Sequence, residues 1–532
     1  MRVVLGGDVV KKTRANVSGG YMHVYNGRLK RGDKAQAANL SARSNHTCAL
    51  SNTTDWTPNS SFFNMLDDSG NDEFYSRSMR FIDWLKCSGT AVSTKIELAD
   101  LRQQSAGRGV VAKEDIEDDE ELFSVPRSSI LTVETSGLPE AIRSDLQDPW
   151  LSLILAMAFE QQRGKESPWK PYFDVLPATF DTLMYWSTEE LEYLRGSAVA
   201  DKIGKQSADK AFSEQLVPIL RQHEAALDLA QLSDDDLLTL FHKMGSTIMA
   251  YAFDLESPSS QSKTEGEDWE EDSDAGESLP KGMVPFADML NADADRNNAK
   301  LFYEDDKVVM KTITAVQKGE ELFNDYGPLP RADVLRRYGY VTDNYATYDV
   351  FEVALATVKD VTKEHLKMAE AGVHTRLDYF DEQGILEDGY DVSRASSEDG
   401  PFTDEFVVLL NTLVLPAADF DKLKKKDKLP KPELSEKALQ LLYHILLHRR
   451  AMYPIDDRDS TRNPSGNLAA ASGTSNEHRR NMAVQIIRGE KEVLQEAADT
   501  VQKLLGDGNK RKVDTFEDEV ANMHLEKKQK TW

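Results

Sequence analysis

Three short segments carry residue types that could bind a small ligand and act on it. The first is Gly107-Arg108-Gly109-Val110-Val111-Ala112. It satisfies the loose dinucleotide pattern G-x-G-x-x-A, but that pattern works at a turn that opens a helix. Here β-branched residues follow, then a polar turn, so what survives is backbone that a ligand can approach closely. The second is Met283–Asn291, where Asp288 and Asn291 interrupt an apolar run. Polar residues in such a run either cap local turns or hold a ligand, since burying them unpaired is costly. The third is Phe323-Asn324-Asp325-Tyr326-Gly327, followed by Arg336-Arg337-Tyr338-Gly339-Tyr340. Tyrosines beside glycines are ordinary core residues or the walls of a narrow aromatic channel with hydroxyls at its end. His444 and His448 stand four apart on a helix, a zinc-ligand spacing, but no H-E-x-x-H and no third ligand accompany them, so they are read as structural.

The elements that must position these segments are short. A helix is predicted over Tyr75–Cys87, and strands over Thr94–Leu101, Val110–Ala112 and Leu122–Val125, the last ended by Pro126. Trp150–Gln162 reads as a buried, nearly all-apolar helix, with Trp169, Tyr172 and Phe173 at its rim. Ser233, with Asp236 three residues on, marks the start of another helix in which Leu237, Phe241, Gly245 and Ile248 recur at helical spacing. Glu256–Lys281 holds nine acidic residues among Ser, Gly and Pro and reads as a solvated loop. Strands return at Leu301–Tyr303, Val308–Met310 and Glu321–Phe323. Beyond about residue 355 the texture is helical, with Leu439, Leu442, Tyr443, Leu446 and Leu447 forming one amphipathic face and Met482 to Leu504 another.

The chain has 532 residues, enough for several domains, and no apolar run long enough to span a bilayer. Two cysteines, Cys48 and Cys87, exclude a disulfide framework or a cysteine-built zinc cluster and point to a reducing compartment, the cytoplasm or nucleus. The 64 basic and 91 acidic residues leave a net charge of −27. Such a surface attracts basic partners and argues against direct nucleic-acid binding.

Taken in order, a Gly-x-Gly turn, a ligand-holding Asn, a tyrosine-glycine motif and a closing aromatic resemble the SET-domain protein lysine methyltransferases. The helical stretch between the two halves and the helical C-terminal region are similar to the Rubisco large-subunit methyltransferase class. Met289-Leu290-Asn291-Ala292-Asp293 and Leu335-Arg336-Arg337-Tyr338-Gly339-Tyr340-Val341 look most like its fungal ribosomal lysine methyltransferase 4 branch. The resemblance covers about residues 75–506. It implies an α+β chain with a SET-domain fold of short β-strands over 75–341. Within that span lie a helical insert at about 134–255 and an acidic disordered loop at 256–281. An all-α substrate-binding domain over 350–506 would follow. A poorly ordered extension, 1–74, would precede the fold and a basic tail, 507–532, would end it.

The resemblance also implies roles. Gly107, Arg108 and Gly109 would hold S-adenosylmethionine with backbone, Asn291 and Ala292 would bind its methionine portion, and Tyr340 would lie against the adenine. Tyr326 would be the catalytic tyrosine, and Asp288, Tyr338 and Tyr251 would line the lysine channel. No metal is implied. Most SET proteins have Asn-His where this chain has Asn291-Ala292: if that histidine acts through its backbone, Ala292 serves as well, and if its ring matters, cofactor affinity is weakened. The expected activity is methylation of a non-histone protein lysine, with a basic large-subunit ribosomal protein as substrate, by a monomer. The rival expectations are a catalytically silent SET-fold binding module, for which Ala292 is the support, and methylation of a histone or other nuclear protein, which a basic tail usable for nuclear import would suit.

Overall fold

A computed structural model describes residues 71–506, other than 105, 225–226, 256–278, 398–399 and 455–474, together with Phe516 and Val520. Two four-stranded sheets form the N-terminal half. One orders β1 (Ala91–Val92), β4 (Glu121–Pro126), β9 (Lys307–Thr312) and β8 (Ala299–Tyr303), all antiparallel. The other orders β2 (Ile96–Asp100), β3 (Arg108–Ala112), β10 (Glu321–Asn324) and β7 (Asn291–Ala292). Its β10–β7 pair is parallel, setting Phe323 opposite Asn291, while β10 runs antiparallel to β3 with Leu322 opposite Val110. Two strands from the last third of this half are thus threaded between and beside strands made two hundred residues earlier. A two-stranded ribbon joins β5 (Ala252–Asp254) to β6 (Lys281–Met283).

The insert between these strands is helical, as its periodicity requires. Pro149–Arg163 begins with Asp148 accepting from Leu151 N at 2.9 Å and with Pro149 in the first turn, where its missing N–H costs nothing. Leu151 to Ala158 are all buried, so the helix is core on every side. Asp234–Tyr251 starts where expected, with Ser233 Oγ accepting from Asp236 N at 3.2 Å. Phe81, Val110, Phe123, Ile154, Phe241 and Leu322 belong to the one apolar core that joins the insert to both sheets.

The C-terminal half is built mainly of helices, among them Leu355–Leu366, Asp404–Val414, Glu436–Arg450 and Ser475–Leu505, around a second core. It is not all-α. Val350–Ala354 and Gly389–Ser393 pair as antiparallel strands β11 and β12, because Phe351 and Val353 alternate with half-buried positions and bury in one core with Tyr390 and Val392. Phe516 and Val520 are also buried in this core, so the expected tail contributes apolar anchors to it. At the other end the first helix begins at Asn71, four residues before the expected start, and Lys281 already lies in β6. The acidic stretch 256–278, the loop 455–474 and residues 1–70 lie outside the described residues.

His444 meets His365 from the neighbouring helix, ring centroids 3.9 Å apart, and no metal-holding group of His, Cys, Asp or Glu occurs among the described residues.

Candidate active site

The three segments singled out in the sequence converge. Asn291, at the start of β7, donates from Nδ2 to the Arg108 carbonyl at 3.2 Å and to Glu321 Oε1 at 2.7 Å. That one amide therefore joins the glycine turn to β10. Gly109 has no room for a side chain: a Cβ there would lie 2.7 Å from Glu321 Oε1 and 3.0 Å from Asn291 Nδ2, and closer still to Leu101 Cδ1. Gly107 sits at φ +64° with nothing within 4 Å of where its Cβ would be, so the turn is both left-handed and open. Arg108 contributes main chain only, since its guanidinium turns away. It donates to Ser78 Oγ at 3.1 Å and to the Val175 carbonyl at 3.0 Å, and lies 3.8 Å over the Phe74 ring. Burial and the positive charges of Arg77 and Arg102 push its pKa down to about 10.

Tyr326 follows β10 directly. Its ring stacks on Tyr338, centroids 4.3 Å apart and planes 10° from parallel, and Tyr338 meets Tyr340 at 6.4 Å. Gly339, between the last two, caps the Arg331–Tyr338 helix at φ +81°, and a Cβ there would come within 2.9 Å of Thr182 N. That left-handed cap is what allows Tyr338 and Tyr340 to share one cluster with Tyr326, Leu329 and Val334. Burial, reinforced by the neighbouring phenols including Tyr251, holds the Tyr326 hydroxyl well above its ordinary pKa, so it is a neutral donor at physiological pH. Tyr251, at the end of its helix, is pushed up to about 12 by burial and then by the charge of Asp288.

Asp288 lies in a short turn, Ala287–Met289, preceded by Phe286 at φ +82°, an uncommon conformation for a phenylalanine. It is fully enclosed. Tyr172 donates its hydroxyl to Oδ2, while Oδ1 is buried without a hydrogen-bond partner among the described residues. Burial raises the Asp288 carboxyl to about 7. Since this lies above the ordinary unfolded value near 3.9, the unfolded chain ionises first as pH rises. Stability is expected to fall across about pH 4 to 7 and to stay lower above it. Asp288→Asn should remove roughly 2–4 kcal/mol of that loss, seen as a gain over wild type in urea unfolding at pH 8 but not at pH 4. Parallel pH profiles for the two proteins would refute the assignment.

Three participants carried no sequence signal for this role. Glu321 opens a strand like any exposed acid, yet its side chain is half-buried against Asn291 and burial raises its pKa. Tyr172, expected only as helix rim, reaches Asp288 across 116 positions. Tyr345, fully buried with an unpartnered hydroxyl, completes the tyrosine cluster. Ala292 pairs its backbone with Asn324 of β10, so this position contributes main chain.

The glycine turn, the Asn291 amide and the tyrosine wall make a site for one small molecule beside one side-chain amine. Residues 107–327 match the SET domain family. The chain is 31% identical over 471 residues to ribosomal lysine N-methyltransferase 4 of Saccharomyces cerevisiae, covering 81% of this chain and 93% of that protein. It is 32% identical over 360 residues to mouse N-lysine methyltransferase SETD6, covering 65% and 72%. Among solved structures, Rubisco LSMT bound to AdoMet superposes with a TM-score of 0.58 at 20% identity, over 81% of this chain and 92% of that one. The SET domain of LSMT bound to lysine and AdoHcy gives a TM-score of 0.56 at 20% identity, over 81% and 91%. The chain belongs to the SET-domain protein-lysine N-methyltransferases, in the family that includes ribosomal lysine N-methyltransferase 4. It is an S-adenosylmethionine-dependent enzyme.

The residues present fit that cofactor. The turn around Gly107 is open, and the missing side chain of Gly109 lets Leu101, Glu321 and Asn291 close against the backbone that would hold the cofactor. Asn291→Ala would cut the tie between turn and β10. Its expected effect is at least a tenfold loss of S-adenosylmethionine affinity by calorimetry, measured at a temperature where the unliganded variant is still folded, since orphaning Glu321 and the Arg108 carbonyl also costs about 1–3 kcal/mol. Wild-type affinity in the variant would remove Asn291 from the cofactor site.

Proposed function

We propose that this enzyme methylates a lysine of a large-subunit ribosomal protein. The observation that carries the reading is the end-to-end similarity, 93% of its length, to ribosomal lysine N-methyltransferase 4 of yeast. The acidic surface, net −27, supports it, because ribosomal proteins are basic and long-range attraction speeds their encounter.

The proposed chemistry follows from the chain's own groups. S-adenosylmethionine supplies an electrophilic methyl on a positively charged sulfur. A lysine ammonium entering the tyrosine cluster must first lose its proton, and desolvation favours that loss. Asp288, with Oδ2 held by Tyr172 and Oδ1 free of partners, is a buried acceptor beside Tyr251. The faces of Tyr326 and Tyr338 favour a cationic head group, and the Tyr326 hydroxyl orients the neutral nitrogen. Gly107, Arg108, Gly109, Asn291 and Ala292 hold the cofactor, with Tyr340 on its adenine. Tyr326, Asp288, Tyr338 and Tyr251 serve the lysine. The enzyme acts as a monomer in the cytoplasm, the nucleus or both.

Intact-mass measurement of ribosomal proteins from cells lacking the enzyme tests the substrate. One large-subunit protein should become lighter by a methyl mass, about 14 Da or a small multiple. An unchanged ribosomal profile would overturn the ribosomal substrate and favour a histone or another nuclear protein. A silent binding module is disfavoured, because Tyr326, the glycine turn and Asn291 are all present and assembled.

A further inference from the structure

The chain is strongly acidic, yet residues 422–431 hold six lysines and one aspartate. They close the Ala417–Lys425 helix of the C-terminal half. The closure is a Schellman turn: Lys428 N donates to the Leu423 carbonyl at 3.2 Å, Asp427 N to the Lys424 carbonyl at 3.1 Å, and Asp427 sits at φ +49°. This turn folds Lys428 back beside Lys424, Lys425 and Lys426, so four ammonium groups leave one helix end. All six lysines are exposed. Lys422 pairs with exposed Asp419 at 3.0 Å and Lys424 with Glu382 at 3.5 Å. Lys425, Lys426, Lys428 and Lys431 have no ion-pair partner among the described residues. A helix C-terminus tolerates cations, but a few tenths of a kcal/mol does not account for three unpaired lysines there, Lys425, Lys426 and Lys428.

We propose that this helix end is a docking surface for the phosphate backbone of duplex RNA. Two observations favour it over an acidic protein segment. No large apolar side chain is exposed anywhere in 417–431, whereas peptide recognition relies on apolar anchors. The aromatic rings beneath, Tyr379 and Phe420, pack against each other at 5.8 Å and Phe420 is buried, so the surface offers charge without stacking platforms, the footprint of backbone contact. The chain-wide negative charge does not forbid the contact. Screening at physiological salt acts over about 8 Å, so the local sign decides. The choice of RNA rests on the ribosomal reading above; the cationic surface does not.

The test is fluorescence anisotropy with the full-length protein and a labelled 20-base-pair RNA duplex across a salt series, beside a 20-residue polyglutamate. Wild type should bind the duplex. The variant Lys425→Glu/Lys426→Glu/Lys428→Glu should bind at least tenfold more weakly at 0.1 M salt. Its log–log salt slope should shrink by about three, near 0.9 for each phosphate that no longer meets an ammonium group. The corresponding triple glutamine variant should fall between them, and both should keep wild-type S-adenosylmethionine affinity. No duplex binding by wild type, or an unchanged slope in the glutamate variant, would overturn the proposal. Polyglutamate captured through these lysines in place of RNA would overturn it in favour of a protein partner. Duplex binding through the lysines by an enzyme whose loss leaves ribosomal proteins unchanged would refute the substrate reading and leave this surface standing.

Discussion

Tyr326→Phe is expected to lower kcat by roughly a hundredfold or more while leaving S-adenosylmethionine affinity within about twofold. The substitution keeps the ring that stacks on Tyr338 at 4.3 Å and removes only the hydroxyl. Volume and packing are therefore preserved, and the loss reports on the donor alone. Because that hydroxyl is held neutral by burial and its neighbours, its own titration does not enter the comparison, and measuring both proteins at pH 8 keeps the Asp288 titration out of it as well. Single-turnover mass measurement on a lysine peptide, with calorimetry for the cofactor, separates the two readouts. A kcat within threefold of wild type would show that Tyr326 is wall and not participant. If cofactor affinity collapses as well, Tyr326 belongs to the cofactor's side of the site.

The largest stability effect is expected at Arg331. Its buried guanidinium donates to Asp349 from Nε at 2.9 Å and from Nη2 at 2.5 Å, and its backbone N–H donates to the same carboxylate at 3.2 Å. Asp349 is buried too, and among the described residues its one other ion-pair partner is Arg394 at 3.7 Å. The pair sits against Gly489, where any Cβ would collide with both groups, so the Ser475–Leu505 helix is seated on it. Arg331→Met leaves that carboxylate almost uncompensated and should cost about 3–5 kcal/mol in urea unfolding. Adding Asp349→Leu should return most of it, since a well-packed apolar pair is often as stable as a buried ion pair. A loss below about 1 kcal/mol would mean that Arg394 or water takes over.

The motif segments were legible because their chemistry is local: glycines beside a strand, an amide in an apolar run, tyrosines beside glycines. The long helices were legible because one apolar face repeats every three or four residues, as in Leu439 to Leu447. Contacts between distant segments were not. Nothing near Tyr172 announces Asp288, and nothing near Glu321 announces Asn291, because the parallel β10–β7 pairing that unites them is a tertiary outcome. β11 and β12 carry little signal of their own, each being five residues long beside strong helical periodicity. Phe516 and Val520 stand among Asp514, Glu517, Asp518 and Glu519, and charge dominates so short a window although two apolar anchors suffice to seat a chain.

The amide of Asn291 reaches the Arg108 carbonyl across 183 positions, and no shorter piece of chain contains both. During synthesis, then, the glycine turn waits for most of the N-terminal half before anything can occupy it. Such distant pairings form slowly, because loop-closure entropy is lost before any contact compensates it. A ligand that recognises only the finished arrangement draws the equilibrium toward it by mass action, at about 2.7 kcal/mol for a hundredfold excess over its dissociation constant. S-adenosylmethionine is in that sense a folding partner as well as a methyl donor, and cells short of it would hold less of the enzyme in its native form.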